Sequence, residues 1–211
     1  MSFISGSLLT ACLIVGLAPG RPAAAQHVGL GAVHSGLMLK LNLPSLTLEL
    51  YRGTELVRSY PVAIGDSAHP TPQGVFEVTQ VDWDPWWIPP ASDWAKNEKV
   101  TPPGPRNPMG RVRLSFRELY FIHGTPDRHS VGSAASHGCV RLYNTDAIDL
   151  AKRILRYGAP DISSKEVDQI AARRGKTRTI KLQRTVAVEI RNEINLDSAA
   201  AASGLPSNTG R

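Results

Sequence analysis

Between Tyr120 and Asn144 the chain gathers three of its six histidines and the one cysteine that lies beyond its first twelve residues. A thiol is a weak nucleophile until it loses its proton, so a reactive cysteine needs an imidazole partner and nearby positive charge. Cys139 has His137 two residues before it and Arg141 two residues after it. In an extended segment such residues face the same way. Gly138 sits where backbone must come close to something, and the amide N–H groups around Gly138 and Cys139 are suited to form an oxyanion hole for a substrate carbonyl.

His123 is the better candidate for general base. It ends the apolar run Tyr120-Phe121-Ile122, which holds a ring more firmly than a loop can, and Gly124 follows with a backbone carbonyl. That carbonyl can accept from the imidazole nitrogen that faces away from sulfur, and so fix the tautomer as a carboxylate does in other triads. A thiolate–imidazolium pair is the expected resting state. Arg141 carries an always-charged planar fork suited to a substrate carboxylate, though the same residue could serve as a plain surface charge. His129, among Asp127, Arg128 and Ser130, reads as solvated, and His137 as a scaffold for the cysteine loop.

The elements that must hold these residues are mainly strands. Leu37–Asn42, Ser45–Tyr51, Glu55–Ile64, Val75–Val81, Val112–Phe116 and Leu119–Ile122 each carry strand-like runs, and the second alternates Leu46, Leu48 and Leu50 with polar neighbours. Successive hairpins imply an antiparallel sheet, so the fold class is mainly β: a sandwich or barrel-like sheet with one or two peripheral helices. The best helix runs from Thr145 to Tyr157, capped by Asn144 or Thr145 and stopped by Gly158. Ser163-Ser164-Lys165-Glu166 makes a capping box for a second helix ending near Arg174. Two short strands, Arg178–Leu182 and Thr185–Ile190, then follow as an appendage. Between Asp82 and Pro108 lie many prolines and all four tryptophans, read either as caps on an open sheet edge or as a flap over the substrate groove.

The chain has 211 residues, of which 42% are hydrophobic, enough for one domain with a real core. Its net charge of +6 comes from dispersed arginines without interleaved aromatic residues, which argues against nucleic acid as a partner. Phe3–Ala18 is apolar and precedes Ala23-Ala24-Ala25-Gln26, so residues 1–25 are read as an export signal, with an uncleaved anchor or lipidation at Cys12 as alternatives. The expected location is the periplasm or cell-wall space. Cleavage would leave one cysteine without a disulfide partner, which favours reactivity over structure. A set of zinc ligands from His123, His129, His137 and Cys139 lacks the tight spacing of structural sites, and no metal or other cofactor is expected. A monomer is expected. Residues 36–162 form the expected catalytic unit, 163–194 a helix-plus-strand extension and 195–211 a disordered tail.

His123-Gly124-Thr125 followed by Ser136-His137-Gly138-Cys139-Val140-Arg141-Leu142 resembles the signature of L,D-transpeptidases with a YkuD-type catalytic domain. Tyr60–Gly65, Thr71–Phe76, Asn107–Gly110 and Asp146–Ala151 resemble further segments of that family, in order, so the resemblance runs from Leu37 to Ile162. It implies an enzyme that attacks the bond between the L-centre of a diamino acid and the terminal D-alanine of a peptidoglycan stem tetrapeptide. The acyl group would pass through a thioester to an amine. On this resemblance Cys139 is the nucleophile, His123 the base, Ser136, His137 and Gly138 shape the oxyanion site, and Arg141 borders the donor pocket. A hydrolase on the same scaffold and a non-catalytic wall-binding module remain as alternatives.

Overall fold

A computed structural model describes residues 36–193; the expected signal at 1–25, Cys12 and the expected tail at 195–211 lie outside the described residues. The first three strands are β1 (Leu37–Asn42), β2 (Thr47–Arg52) and β3 (Glu55–Pro61), a meander in which the buried leucines of β1 and β2 alternate with more exposed residues and β3 buries Tyr60. β2 starts at Thr47 because Leu46 has φ 52°, a turn conformation. A short β4 (Ile64–Gly65) follows, then β5 (Gly74–Trp83), β6 (Val112–Arg117) and β7 (Tyr120–Thr125). β8 (Ala134–Ser136) and β9 (Val140–Tyr143) flank the cysteine, and α1 (Asn144–Gly158), α2 (Ser164–Ala172) and β10 (Arg178–Arg191) complete the order.

Eight strands form one sheet in the order β3-β2-β1-β10-β5-β6-β7-β9, while β4 and β8 pair separately. The expectation of a mainly β, barrel-like fold with two helices holds. The sheet is mixed rather than antiparallel throughout: β1 runs parallel to β10, and β7 parallel to β9. Just beyond β3, Ala63 exchanges two backbone hydrogen bonds of 2.9 Å with Arg141 of β9, so the two sheet edges nearly close on each other.

The C-terminal strand is no appendage. β10 is one strand of 14 residues inserted between β1 and β5, with a register shift between Lys181 and Val186. The two strands expected at Arg178–Leu182 and Thr185–Ile190 are thus one strand, broken only by this irregularity in its pairing with β5. Its inward residues Ile180, Val186, Val188 and Ile190 join the core beneath α1, whose buried stripe is Ala147, Leu150, Ala151, Ile154 and Leu155. α2 starts where Ser163 Oγ accepts from the Glu166 amide at 3.2 Å, the bond expected of its cap. No helix among the described residues is long and apolar enough to cross a membrane.

Candidate active site

On β6, β7 and β9 the residues Leu114, Ile122, Val140 and Leu142 point into the core and are buried. Their alternating neighbours Arg113, Phe121, His123, Cys139 and Arg141 line one cavity of about 320 Å³ on the other face. The ladder sets their relative positions: Arg113 lies level with His123, and His123 level with Arg141. Ile122 pairs with Val140, so Cys139, just before β9, is a diagonal neighbour of His123 on the same face. A larger hollow of about 710 Å³, bordered by Gly104, Arg111 and Asn144, has neither a cysteine nor a histidine in its wall. Chemistry, not size, selects the site.

His123 is 2% exposed, and its Nδ1 stands 2.7 Å from the Gly124 carbonyl. A carbonyl oxygen can only accept, so Nδ1 carries the proton and donates, leaving the Nε2 lone pair for another partner. Burial pushes the imidazole down to about 4, with Arg141 and Arg113 adding to the effect against the pull of the Gly124 bond. Burial also pushes the Cys139 thiol up, a Phe121 backbone hydrogen bond and the charges of Arg141 and Arg113 opposing it. The thiol donates weakly to the Leu119 carbonyl at 3.7 Å. The expected thiolate–imidazolium resting pair is therefore corrected to a neutral thiol beside a neutral imidazole. Desolvation penalises both charges, and two guanidiniums further penalise the imidazolium.

The turn that carries the sulfur is braced from both sides. Buried Ser136 donates through Oγ to the Cys139 carbonyl at 2.5 Å and accepts from the Gly138 amide at 3.1 Å. The Gly138 N–H is thereby engaged, which removes it from the oxyanion donors expected around Gly138 and Cys139. Gly138 has φ 100°, and a Cβ there would stand 2.7 Å from the Tyr120 ring, so a side chain is excluded on both counts. Buried Thr71 accepts from the Gly65 amide at 2.8 Å and donates to the Gly138 carbonyl at 3.0 Å, tying the cysteine turn to β4.

The tryptophan-rich stretch divides its roles. Trp83 ends β5 inside the core, Trp86 is exposed, and Trp87 and Trp94 form the cavity roof with Ile88, Pro89 and Pro90. The flap reading holds for two of the four indoles. Its base is closed by the Trp87–Thr101 backbone pair and by buried Asn107, whose Nδ2 donates to the Pro85, Thr101 and Pro102 carbonyls while Oδ1 accepts from the Met109 amide. Its tip touches the cysteine turn: the Trp94 ring stacks on His137 at 4.0 Å with a 10° interplanar angle. On its other side His137 meets the edge of His69 at 4.6 Å, and His69 Nδ1 bonds Asp66 at 3.1 Å. His137 thus joins flap to turn, as a scaffold does, and desolvation foremost lowers its basicity. His129 is exposed on a 3-10 turn at Arg128–Ser130, as expected.

Thr71, Asn107, His69 and Trp94 were not singled out individually by residue type and spacing. The one available signal is that Thr71 and Asn107 fall in the ordered companion segments. Asn144 does not cap α1 with its side chain, as was expected; its Oδ1 accepts from the Arg111 amide at 2.8 Å and its Nδ2 donates to the Thr125 carbonyl at 3.1 Å, clamping β7 to the end of the flap. Among the described residues no three His, Cys, Asp or Glu side chains gather as a metal site requires.

Residues 38–181 match the YkuD family, described as the L,D-transpeptidase catalytic domain. The YkuD protein of Bacillus licheniformis, an L,D-transpeptidase by name, is 30% identical over 141 residues, which cover 64% of this chain and 73% of that one. YbiS of Escherichia coli K12, also named as an L,D-transpeptidase, is 35% identical over 131 residues, covering 58% of this chain and 42% of its own. The chain therefore spans less than half of that longer relative. An L,D-transpeptidase structure from Mycobacterium smegmatis superposes with a TM-score of 0.45 at 13% identity, over 74% of this chain and 58% of that one. With two thirds of its length matched as one continuous segment, this chain belongs to the YkuD family of L,D-transpeptidase catalytic domains.

Proposed function

We propose that this chain is a cysteine acyltransferase of peptidoglycan, with Cys139 as nucleophile and His123 as base. The donor is a stem tetrapeptide, cut between the L-centre of its diamino acid and the terminal D-alanine. As sulfur attacks the carbonyl carbon, the thiol proton passes to His123 Nε2, so the charged pair arises only along the reaction coordinate. The backbone at Cys139, beside the turn braced by Ser136, Gly138 and Thr71, faces the developing oxyanion. His123 then returns the proton to the leaving nitrogen, the C–N bond breaks, and a thioester remains. An amine acceptor attacks the thioester, His123 takes up its proton, and the thiol is regenerated.

The single observation that carries this reading is the Nδ1–H of buried His123 held by the Gly124 carbonyl, with Cys139 in the same cavity. The roof of Trp87 and Trp94 supports transfer over hydrolysis, since water kept from a thioester leaves it for the amine. The substrate lies outside the cytoplasmic membrane, so the proposal includes export through residues 1–25. Incubation of purified protein with a stem tetrapeptide, followed by mass spectrometry, should yield cross-linked dimer. A trimmed tripeptide alone would make it a hydrolase, and no change a binding module. Cys139→Ala should abolish turnover and leave the melting temperature within a few degrees; retained turnover would refute the nucleophile.

A further inference from the structure

One residue from each of five adjacent strands stands at the same level of the sheet: Thr179 on β10, Asp82 on β5, Arg113 on β6, His123 on β7 and Arg141 on β9. Residues directly opposite in neighbouring strands share a face, so the row runs unbroken across the sheet. Part of it is a closed polar network. Asp82 is 1% exposed, and its Oδ1 accepts from Thr179 Oγ1 at 2.6 Å and from Gln80 Nε2 at 2.9 Å. Its Oδ2 accepts from Arg113 Nε at 2.9 Å and Nη2 at 2.7 Å. A buried carboxylate held by four donors cannot follow its partner, so the guanidinium is fixed to it.

From this anchor Arg113 reaches the cavity. Its guanidinium lies over the Phe121 ring at 4.7 Å, and Phe121 shares the face of His123, level with Cys139 one step before the Ile122–Val140 pair. A fixed cation thus stands beside both base and nucleophile. The titratable groups lining the cavity are Arg113, His123, His137, Cys139 and Arg141, with Asp82 behind Arg113. Beneath the larger effect of burial, the charge of Arg113 lowers both the imidazole and the thiol.

Passage of the thiol proton to His123 Nε2 makes two demands on such a cation. It must keep the ring unprotonated at rest, so that the lone pair is free, and it must not repel so strongly that the ring refuses the proton during attack. An unopposed guanidinium under an apolar roof meets the first demand and defeats the second. Asp82 sets the opposite charge directly behind it, on the side away from His123.

We propose that Asp82 and Arg113 form a positioning couple for His123: Arg113 keeps the ring free of a proton at rest, while Asp82 fixes the guanidinium and offsets its charge, so the ring still takes the thiol proton during attack. Neither side chain exchanges a proton itself. This inference rests on the cysteine-transfer reading above.

The test reads two pH profiles of the full chain: alkylation of Cys139 by iodoacetamide, followed by peptide mass spectrometry, and kcat/KM with a stem tetrapeptide. Asp82→Asn leaves the guanidinium unopposed and should move the alkylation midpoint and the acid limb of kcat/KM down by about half a pH unit or more, whereas Arg113→Gln should move both up by a similar amount. The double variant Asp82→Asn/Arg113→Gln should fall between the two single variants. Arg113→Lys, which keeps the charge, should stay close to the wild type, and Arg156→Gln, which removes an exposed cation on α1, should move neither profile. A pair that served only as a brace would weaken both single variants alike. Profiles that stay in place, or that move the same way in Asp82→Asn and Arg113→Gln, overturn the couple and leave the transfer reading standing. A wild-type chain without turnover overturns the transfer reading, and the role of the couple in proton transfer with it. If Asp82→Asn fails to give the circular dichroism spectrum of the folded chain, Arg113→Gln against Arg113→Lys decides: an upward move in the first alone supports the couple, and equal profiles overturn it.

Discussion

His123 shows how a residue's setting outweighs its sequence neighbours. Beside a cysteine and two cations it would be drawn as half of an ion pair, yet burial is the largest influence on it and pushes it from 6.5 to about 4. Between those values the unfolded chain binds a proton that the folded chain does not. Stability therefore falls as pH drops through that window, by up to about 3 kcal/mol, and the loss is complete below about 4. Urea unfolding across this range should show that slope, and His123→Asn should flatten it. A charged ring at rest would give the opposite sign. The same setting places the acid limb of kcat/KM near 4 rather than 6.5. Because burial pushes the Cys139 thiol up, alkylation of the free enzyme by iodoacetamide should be slow at neutral pH and accelerate only well into the alkaline range. Rapid alkylation at pH 6 would restore the ion pair.

Elements enter through two polar side chains that hold backbone in place. Thr71 links the Gly65 amide to the Gly138 carbonyl, so Thr71→Val leaves one buried donor and one buried acceptor unsatisfied. The expected cost is about 2–3 kcal/mol, read as a fall in thermal stability, together with a loss of kcat because the cysteine turn is no longer fixed to β4. Asn107→Ala removes four hydrogen bonds at the flap base and should cost about 2–4 kcal/mol. Its kinetic signature should differ, with KM for the donor rising more than kcat falls, since the flap roofs the cavity but carries no proton. Amide hydrogen exchange should accelerate across residues 84–108 and stay unchanged in β1 and β2.

For the whole molecule the decisive element is β10. It pairs with β1 on one side and β5 on the other, so it joins the β1–β2–β3 meander to the strands that carry the site. A chain ending at Lys176 would lose the central strand and four buried aliphatic residues, and should show neither a cooperative thermal transition nor Cys139 acylation. An appendage could be removed with the remainder still folded, so a cooperative transition in the truncated chain would contradict the sheet order. The near closure through Ala63 and Arg141 works at the same scale, because it anchors Arg141 through the opposite edge of the sheet.

What sequence alone determined were features set by neighbours along the chain. Alternating leucines delimited β1 at Leu37–Asn42, the apolar stripe located α1, and Ser163 with Glu166 marked the start of α2. The pairing of His123 with Gly124 was legible too, because a ring and the next residue's carbonyl need no distant partner. Tertiary structure decided the place of β10, the two parallel pairings, the brace through Thr71, the clamp of Asn144 and the stack of Trp94 on His137. It also decided that the thiol and imidazole rest uncharged. Periodicity and capping act over a few residues, whereas desolvation and strand partnership depend on which remote segments close over a group, and no local pattern encodes those.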